Sequence, residues 1–238
     1  MRCYSLPALA VMAACTSVCA ADVASTALAA PELKMLFRYR LEAVDQDGFA
    51  ENALANTLLS RFSLTQNFSQ GWSAGGEFDY VAALGDKNYN DSINGKTAYP
   101  VVADPAGADL NQAFVMYQSG EQTLKIGRQR INLANERFVG GVGWRQNEQT
   151  YDGVLGQIKP ITGMTLTYSY IDNINTIFGP DNGRYDNKTN PANIEGHSHL
   201  FNAQYVLLRD FRGAPQLTLT GYSYQLGLDN IAVSGAAA

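Results

Sequence analysis

Four arginines lie close together in the segment KIGRQRINLANERFVGGVGWRQNEQTYDGV, residues 125–154. Arg128, Arg130, Arg137 and Arg145 fall within eighteen positions, among glycines and aromatic residues. The segment is neither a continuous Lys/Arg run nor an obvious helix. A guanidinium group is permanently charged and binds a carboxylate through two parallel hydrogen bonds. The pattern therefore indicates fixed positive charge that is placed to meet carboxylates or other anions.

The chain around this segment is acidic. It has 238 residues, with 17 Lys and Arg against 22 Asp and Glu, and a formal net charge of −5. Nucleic-acid binding depends on a basic surface that neutralises phosphates, so this balance argues against a nucleic-acid partner. The arginine segment is a local concentration of charge and does not reflect the overall composition.

The first twenty residues, MRCYSLPALAVMAACTSVCA, have the pattern of a secretory signal peptide. An early Arg2 precedes an apolar stretch without acids, and small residues end it before Ala21. A membrane anchor is the alternative, but the apolar run is shorter than the roughly 20 residues that span a bilayer. Lipid attachment at Cys15 is a second alternative. The three cysteines of the chain all lie in this segment, so cleavage leaves a chain without cysteine and with a net charge of −6.

Apolar and polar residues alternate with a period of two in most of the chain that follows. One face of residues 33–44 consists of Met35, Phe37, Tyr39, Leu41 and Ala43. The other face carries Lys34, Arg38, Arg40 and Glu42, with Leu36 as an apolar exception among them. Strict alternation of this kind predicts a β-strand with one apolar and one charged face.

Eight further segments have the same period. The clearest are 57–65, 72–82, 164–170 and 200–207, and the weaker ones are 110–118, 122–131, 150–158 and 216–227. The alternation places Arg61, Glu77 and Asp79 on the polar face of their strands. The sequence therefore predicts about nine strands, each near the roughly 10 residues that cross a bilayer at a tilt.

The connections between these strands alternate in length. Short ones at 66–71, 119–122, 159–163 and 209–215 alternate with long ones near 45–54, 84–109, 132–148 and 172–197. Short turns on one side and long polar loops on the other are typical of outer-membrane barrels, whereas a soluble β-sandwich has no reason to alternate them. We predict an all-β, transmembrane, antiparallel up-and-down barrel. Its short turns are periplasmic, with the aromatic residues Phe68, Trp72 and Phe211 at that interface.

The same alternation gives an unfavourable position to two of the arginines. Leu124 and Ile126 are expected to face lipid, and strict alternation sends Arg128 and Arg130 there as well. Arginine at the midplane of a barrel's lipid face costs about 2–4 kcal/mol. We therefore predict a bulge at Gly127 that turns both arginines into the lumen. The alternative is a strand that ends early and leaves both arginines at the outer rim.

Residues 124–154 resemble the central signature of the alginate-export family of outer-membrane porins. The likeness consists of Gly-Arg-Gln-Arg at a strand end, an Asn and a Glu-Arg pair, a glycine-aromatic stretch through Trp144-Arg145-Gln146-Asn147, and Tyr-Asp-Gly at the next strand. Weaker similarity extends from about residue 33 to 228. It includes LNQAFVMYQ and YQLGLDN.

The resemblance implies a monomeric barrel of about eighteen strands with an arginine-lined constriction that passes anionic sugars or similar solutes. It implies no cofactor or metal. Together, the resemblance and the alternation give a set of candidate pore-lining residues: Arg38, Arg40, Arg61, Glu77, Asp79, Arg128, Arg130, Arg137, Arg145 and Asp152. The alternative is that the arginines pair with Glu136, Glu148 and Asp152, pack an inward-folded loop and touch no solute.

Other functions have weaker support in the sequence. Ser198 lies between His197 and His199, and barrel hydrolases use a serine and a histidine, but alternation points this serine away from both histidines. Loop acids such as Asp86, Asp91, Asp172, Asp181 and Asp186 have no calcium-loop spacing. A barrel with a plugged lumen, whose loops bind a partner, is the remaining alternative.

The expected organisation is a signal peptide at 1–20, a periplasmic segment at 21–32, barrel strands and loops at 33–228, and a truncated tail at 229–238. Nine strands are about half of the family's barrel, and bacterial single-chain barrels have even strand numbers. We therefore expect the N-terminal half of a larger barrel, or a half that a second half-barrel or a second copy closes. The expected location is the bacterial outer membrane, and the expected partners are its lipid and a small anionic solute or polysaccharide.

Overall fold

The computed structural model describes residues 29–179, 191–208 and 217–229, and the described part of the chain is built from nine β-strands. They are β1 (Glu32–Val44), β2 (Ala53–Asn67), β3 (Trp72–Ala83), β4 (Gly107–Ser119), β5 (Gln122–Gln129), β6 (Thr150–Ile158), β7 (Met164–Asn175), β8 (Asn193–Leu208) and β9 (Leu217–Gln225). One 3-10 turn, Ser69–Gly71, precedes β3. The all-β fold is confirmed. The expected signal peptide, Phe211 and the 209–215 turn lie outside the described residues.

The nine strands form one antiparallel sheet in the order of the sequence. Each strand pairs with its neighbours along the chain, so the topology is up-and-down throughout. The sheet is not closed, and β1 and β9 are its two edges within the described ranges. This arrangement is part of a barrel wall. Among the described residues, no α-helix is long and apolar enough to cross a membrane.

One face of the sheet is apolar and exposed. Met35, Phe37, Tyr39 and Leu41 of β1 are each between 58% and 62% exposed, although they are large hydrophobic residues. On β3, Phe78 and Tyr80 are also about half exposed. An apolar surface of this extent is costly in water and favourable in hydrocarbon. We call it the outer face, and it is the face that the alternation predicts.

The opposite, inner face is covered by two long connections. The β3–β4 connection begins at Leu84, and its Tyr89 and Val102 are fully buried against the small residues Ala53 and Ala55 of β2. Burial, together with the nearby Asp91 and Asp104 carboxylates, raises the pKa of Tyr89 to about 12. Because the strand residues are small, the inner face has room for this loop.

The β5–β6 connection, residues 130–149, is the second inner cover. Its Ile131, Leu133 and Val139 form a buried cluster with Tyr151, Ile171 and Leu200 of the sheet. Inward-folded loops narrow the space that the concave face of a barrel encloses. The arginine segment is therefore held against the inner face by apolar packing.

The prediction of a bulge at Gly127 is wrong. The β5 strand pairs residue for residue with β4 and β6 through this glycine, and register shifts lie elsewhere, such as between Asp152 and Gly153. Gly127 instead has φ = +116°, and a Cβ there would collide with the Ala113 carbonyl oxygen. Glycine adopts this backbone conformation at little cost, which allows the following Arg128 to leave the lipid-facing phase without an inserted residue.

Candidate functional site

Arg61 is the central cation of the inner face. It lies opposite Asp79 in the β2–β3 register, and its Nε and Nη2 donate to the two Asp79 carboxylate oxygens at 2.8 and 2.6 Å. Its Nη1 donates to Glu148 Oε1 at 2.7 Å. The Arg61 side chain is only 9% exposed. Strand pairing therefore fixes one partner of this arginine, and the β5–β6 connection supplies the other.

Arg130 joins the same group, which we call the central cluster: Arg61, Glu77, Asp79, Arg130 and Glu148. The Arg130 guanidinium donates to Glu77 and to Glu148. Burial disfavours the Glu148 charge, but Arg61 and Arg130 outweigh this effect and lower the pKa of Glu148. The cluster has two cations and three carboxylates, so its charges are more than neutralised from within.

Arg40 and Arg145 meet at a second group near the end of β1. The fully buried Asp104 carboxylate is 3.4 Å from Arg40 Nε and 3.8 Å from Arg145 Nη1. Glu42 contacts both arginines as well. The two guanidinium groups lie 4.8 and 4.1 Å from the Trp144 ring, a cation–π geometry. Here too, each arginine has carboxylate partners.

Arg128 and Asp152 form a third group on β5 and β6. The Arg128 Nε and Nη2 atoms donate to the two Asp152 oxygens at 2.8 and 3.0 Å. The Nη1 atom of Arg128 is 3.8 Å from Asp109, a residue that lies opposite Asp79 in the β3–β4 register. Residues directly opposite each other in an antiparallel pair share a face, so Asp109 lies on the inner face with Asp79, and Arg128 reaches that face through its contact with Asp109.

Arg38 has no carboxylate partner among the described residues. Its Nε donates to Gln146 Oε1 at 3.0 Å, its Nη1 to the Gly143 carbonyl at 2.8 Å, and its Nη2 to the Arg145 carbonyl. Neutral oxygens therefore fix the position of this guanidinium without cancelling its charge. Lys125, 3.7 Å from the Phe114 ring, likewise has no ion pair in the described ranges.

Arg137 also has no carboxylate within ion-pair distance in the described part of the chain. It is exposed in the β5–β6 connection, and its guanidinium lies 5.6 Å from the Phe138 ring. The arginines of the described ranges thus divide into five that contact seven carboxylates and two, Arg38 and Arg137, that contact none. The five arginines are Arg40, Arg61, Arg128, Arg130 and Arg145, and the seven carboxylates are Glu42, Glu77, Asp79, Asp104, Asp109, Glu148 and Asp152.

The ten candidate residues from the sequence lie on the inner face or in the connection that covers it. Arg61, Glu77, Asp79 and Arg130 come together in one cluster, whereas Arg128 with Asp152, Arg40 with Arg145, and Arg38 and Arg137 occupy separate places. Their role in lining a pore stays a prediction. Sequence reasoning missed Asp104, Asp109 and Gln146 as site residues. Of the three, Gln146 lies in the Trp144-Arg145-Gln146-Asn147 stretch of the family resemblance, whereas no local pattern marks Asp104 or Asp109.

The pairing alternative is supported in part by these contacts. Glu148 and Asp152 do hold arginines, as that alternative expects, and Glu148 belongs to the inward-folded loop. Glu136 makes no ion pair with an arginine in the described ranges. The loop is therefore anchored by Glu148, whereas Arg137 of the same loop makes no ion pair with a described residue.

Ser198 and its neighbouring histidines point to opposite faces of β8. The serine is 1% exposed and its hydroxyl donates to the Gly227 carbonyl at 3.5 Å. His197 and His199 lie on the outer face, with Nδ1 atoms 2.7 and 2.9 Å from the hydroxyls of Tyr170 and Tyr168. A serine nucleophile needs a base within hydrogen-bond reach, and neither histidine satisfies this requirement. The described residues include no group of three or more His, Cys, Asp or Glu placed to hold a metal ion.

Comparison with solved structures supports the barrel architecture. The crystal structure of Pseudomonas aeruginosa OpdK with vanillate matches with a TM-score of 0.50 and 17% sequence identity, over 81% of this chain and 48% of that chain. OpdK is an outer-membrane porin, and at this identity the likeness concerns the fold. This chain spans about half the length of the OpdK chain.

Sequence comparison gives the family. No curated protein matches the sequence. A family model described as alginate export matches residues 32–171, which is more than half of the chain. The matched range extends from the start of β1 to Ile171 in β7 and includes the three arginine groups of the inner face. The chain belongs to the alginate export family.

Proposed function

We propose that this protein contributes to an outer-membrane channel through which anionic solutes diffuse, with the inner face of the sheet as part of the channel wall. The family and the porin-like fold support an outer-membrane channel. The observation that carries the preference for anions is the fixed but uncompensated Arg38 guanidinium on the inner face. Alginate-like uronates, acidic sugars and organic acids all carry the carboxylate that such a group binds.

The paired arginines have a different role from Arg38 in this proposal. Because five of them contact seven carboxylates, their combined charge attracts no anion at long range. Their guanidinium groups instead form the three groups of ion pairs described above, which position the loop and the strands. Rigid, charged walls of low dielectric focus the field of the remaining cations onto a passing ion.

Three cations supply this remaining field: Arg38, Lys125 and Arg137. Each lies on the inner face or in the loop that covers it, and none has an ion pair in the described ranges. Separate weak contacts allow an anion to enter and to leave, which conduction requires. We therefore assign the anion path to the space that these three residues border.

The open edges of the sheet set a further condition for a channel. In the described ranges, β1 and β9 each pair with a strand along one edge only. The backbone groups along the other edge have no strand partner, and unpaired backbone groups are unstable in hydrocarbon. We propose that further strands, in the same polypeptide or in a second one, close the pore. Export through the inner membrane by residues 1–20 is part of the same proposal.

A barrel with a plugged lumen is the second candidate function. It is favoured by the two long connections that fold over the inner face and bury Tyr89, Val102 and Ile131. Such a protein would act through its exposed loops and would not conduct ions.

Conductance distinguishes the two candidates. The purified full-length protein is inserted into a planar bilayer, and the reversal potential is measured across a potassium chloride gradient. The channel proposal expects discrete conductance steps and a reversal potential that is shifted from zero towards the equilibrium potential of chloride. Absence of conductance supports the plugged barrel, and a reversal potential on the potassium side contradicts the preference for anions.

A further inference from the structure

We infer that the outer face of β6–β9 binds one membrane lipid, with an acyl chain in an apolar recess and a phosphate headgroup at two histidines of β8. The inference rests on the proposed function, because the outer face meets lipid only where the sheet is part of a membrane channel. The recess has a volume of about 550 Å³, and its lining includes Gly156, Leu166, Tyr168, Phe201, Ala203 and Gly221.

The strand registers place this recess on the outer face. Gly156 of β6 lies opposite Leu124 of β5 and Tyr168 of β7, and Tyr168 lies opposite Phe201 of β8. Leu124, Tyr168 and Phe201 are large, exposed hydrophobic residues, whereas the alternate residue Thr167 is buried. Residues that lie opposite each other share a face. The recess therefore opens toward the bilayer and not toward the channel.

Small residues form the floor of the recess. A Cβ at Gly156 or Gly221 would meet no heavy atom within 4 Å, and neither glycine has a positive φ. Neither the backbone nor the neighbouring side chains therefore require glycine at these positions. The rings of Tyr168 and Phe201, with centroids 4.8 Å apart, stand beside this floor as a wall. Glycine inside a strand often marks a place where another molecule approaches closely.

The recess does not depend on the open edge of the sheet. Most of its lining belongs to β6, β7 and β8, and each of these strands is paired on both sides. A further strand beside β9 would extend the sheet in its own plane. Its side chains would border Gly221 and leave the outer face of β6–β8 uncovered.

Two tyrosine–histidine pairs lie on the same face, between the recess and the long connections. The Tyr168 hydroxyl is 2.9 Å from His199 Nδ1, and the Tyr170 hydroxyl is 2.7 Å from His197 Nδ1. Along β8, His199 and His197 are four and six residues from Ala203, which corresponds to about 13 and 20 Å. This spacing suits a lipid whose headgroup contacts the histidines and whose chain extends into the recess.

The depth of the histidines agrees with the position of a headgroup. The ten-residue step from His197 to Leu207 on β8 covers about 33 Å along the strand and about 25 Å across the bilayer at the usual tilt. The apolar band of a membrane barrel is about 25 Å tall. His197 therefore lies at the boundary of this band, where lipid headgroups begin.

The histidines offer N–H donors to a headgroup. When the Tyr168 hydroxyl donates to Nδ1 of His199, a neutral imidazole carries its proton on Nε2. Asp172 Oδ1 is 3.4 Å from His197 Nδ1, so a protonated His197 pairs with this carboxylate and donates through Nε2 as well. A phosphate group accepts such hydrogen bonds strongly because it is charged. An uncharged glyceride has the chains without this acceptor.

A lipid fits this surface better than a second copy of the protein. The recess is continuous with the apolar outer face, which the bilayer covers. The His197 and Asp172 side chains beside it are 71% and 63% exposed. A protein that docked here would take these polar groups out of water, at a cost in free energy, whereas a headgroup at the interface leaves them hydrated.

The test counts the lipids that bind to the protein. The full-length protein is solubilised in detergent, freed of co-purified lipid and titrated in native mass spectrometry. The probes are dioleoylphosphatidylglycerol and dioleoylglycerol, which has the same chains and no phosphate. The inference expects the first phosphatidylglycerol to bind about 3- to 10-fold more tightly than the first dioleoylglycerol and than later phosphatidylglycerols.

Variants connect this binding to the recess and to the histidines. Gly156→Leu and Gly221→Leu fill the recess, and each is expected to weaken the first binding event of both lipids about 3- to 10-fold. Gly76→Leu is the matched control, because this β3 glycine lies opposite the exposed Leu64, away from the recess, and has equally open space at its Cβ. His197→Phe combined with His199→Phe is expected to remove the preference for phosphate and to leave dioleoylglycerol binding unchanged. Circular dichroism of each variant verifies the β-sheet content.

Three results would overturn the inference. The first is equal binding of the two lipids, and the second is a tight first binding event that survives in both Gly156→Leu and Gly221→Leu. The third is a dimer that forms in the wild-type protein and is lost in both leucine variants, because a second copy then occupies the recess.

The lipid site and the channel proposal fail separately. A tight phosphatidylglycerol that is lost in the leucine variants supports the site even if the protein carries no current, in which case the channel proposal alone fails. A chloride-selective channel without a tight first lipid leaves the channel proposal intact and overturns the site.

Discussion

Arg61 of β2 and Glu148 of the β5–β6 connection form an ion pair in which Nη1 and Oε1 are 2.7 Å apart, although the residues are 87 positions apart in sequence. Each side chain is only 9% exposed. The pair attaches the loop that carries the arginine segment to the barrel wall. Arg130, at the start of the same connection, binds the same carboxylate, so a single acidic residue links the two ends of the connection and attaches them to Arg61.

We predict that Glu148→Gln releases this loop. The substitution removes the charged hydrogen bonds of Glu148 to Arg61 and Arg130, while Glu77 and Asp79 still balance the two cations, so the expected cost is about 1–3 kcal/mol. The freed loop, which contains Arg137 and Arg145, is expected to be cleaved faster by trypsin, and the single-channel conductance is expected to increase. The control is Glu121→Gln, which breaks the exposed pair with Lys159. Equal cleavage rates in the two variants would show that the Glu148 contacts do not hold the loop.

The lowered pKa of Glu148 gives this anchor a defined pH dependence. A carboxylate whose pKa is lower in the folded protein than in the unfolded chain stabilises the fold above its ordinary pKa of about 4.3. The stabilisation is lost as the pH falls through the lowered value. Conductance is therefore expected to stay constant between pH 7 and about pH 5 and to rise only in stronger acid. A rise that is complete above pH 5 would contradict the pairing of Glu148 with Arg61 and Arg130.

The backbone at Gly127 predicts a strong effect of a small substitution. In Gly127→Ala, the new Cβ meets the Ala113 carbonyl at a residue with φ = +116°, so the folded barrel is expected to lose about 1–3 kcal/mol. Gly76→Ala in β3 is the matched control, because a Cβ there has open space around it. Urea unfolding of the two variants in lipid vesicles measures the difference. Equal stabilities would show that Gly127 has no conformational role.

The outer face gives a prediction about lipid contact. Ile126 is 49% exposed, and an arginine at that position would cost little if the face met water. If the face meets the bilayer, Ile126→Arg is expected to destabilise the protein in vesicles by about 2–4 kcal/mol. Leu84→Arg, in the connection after β3 and 41% exposed, serves as the control with a small expected effect. No difference between the two variants would contradict the assignment of the outer face to lipid.

The strands and their faces are predictable from the sequence because both depend on local properties. Alternation along β1 separates Phe37 and Tyr39 from Arg38 and Arg40, and the structure keeps this separation. The observed β2 and β8 extend several residues beyond the predicted segments. In those extensions small or polar residues, such as Ala53 and Ala55, face the inward-folded loops and weaken the alternation.

The sequence leads us to expect Glu148 and Asp152 as arginine partners, but other partners, such as Asp104, are not predictable from local pattern. The Asp104 carboxylate contacts Arg40 and Arg145, and the backbone N–H of Gln146 donates to the same carboxylate. These contacts form because two loops that are far apart in sequence fold over the same face. Such contacts depend on tertiary structure and have no local periodicity. The expected bulge at Gly127 failed for a related reason. The sequence indicates that the alternation of lipid-facing and lumen-facing side chains changes at Gly127. An inserted residue and a glycine with positive φ both produce that change, so the alternation does not distinguish them.

The measurement that tests the central claim most directly is the reversal potential of Arg38→Gln in a potassium chloride gradient, beside the wild-type protein. The control is Lys87→Gln, which removes an exposed cation of the β3–β4 connection. Arg38 is held by neutral oxygens, so its removal takes away an uncompensated charge and leaves no carboxylate without a partner. We predict that the wild-type protein and Lys87→Gln prefer chloride equally and that Arg38→Gln shifts measurably toward potassium. An unchanged reversal potential in Arg38→Gln would contradict the assignment of anion preference to the uncompensated guanidinium groups of the inner face.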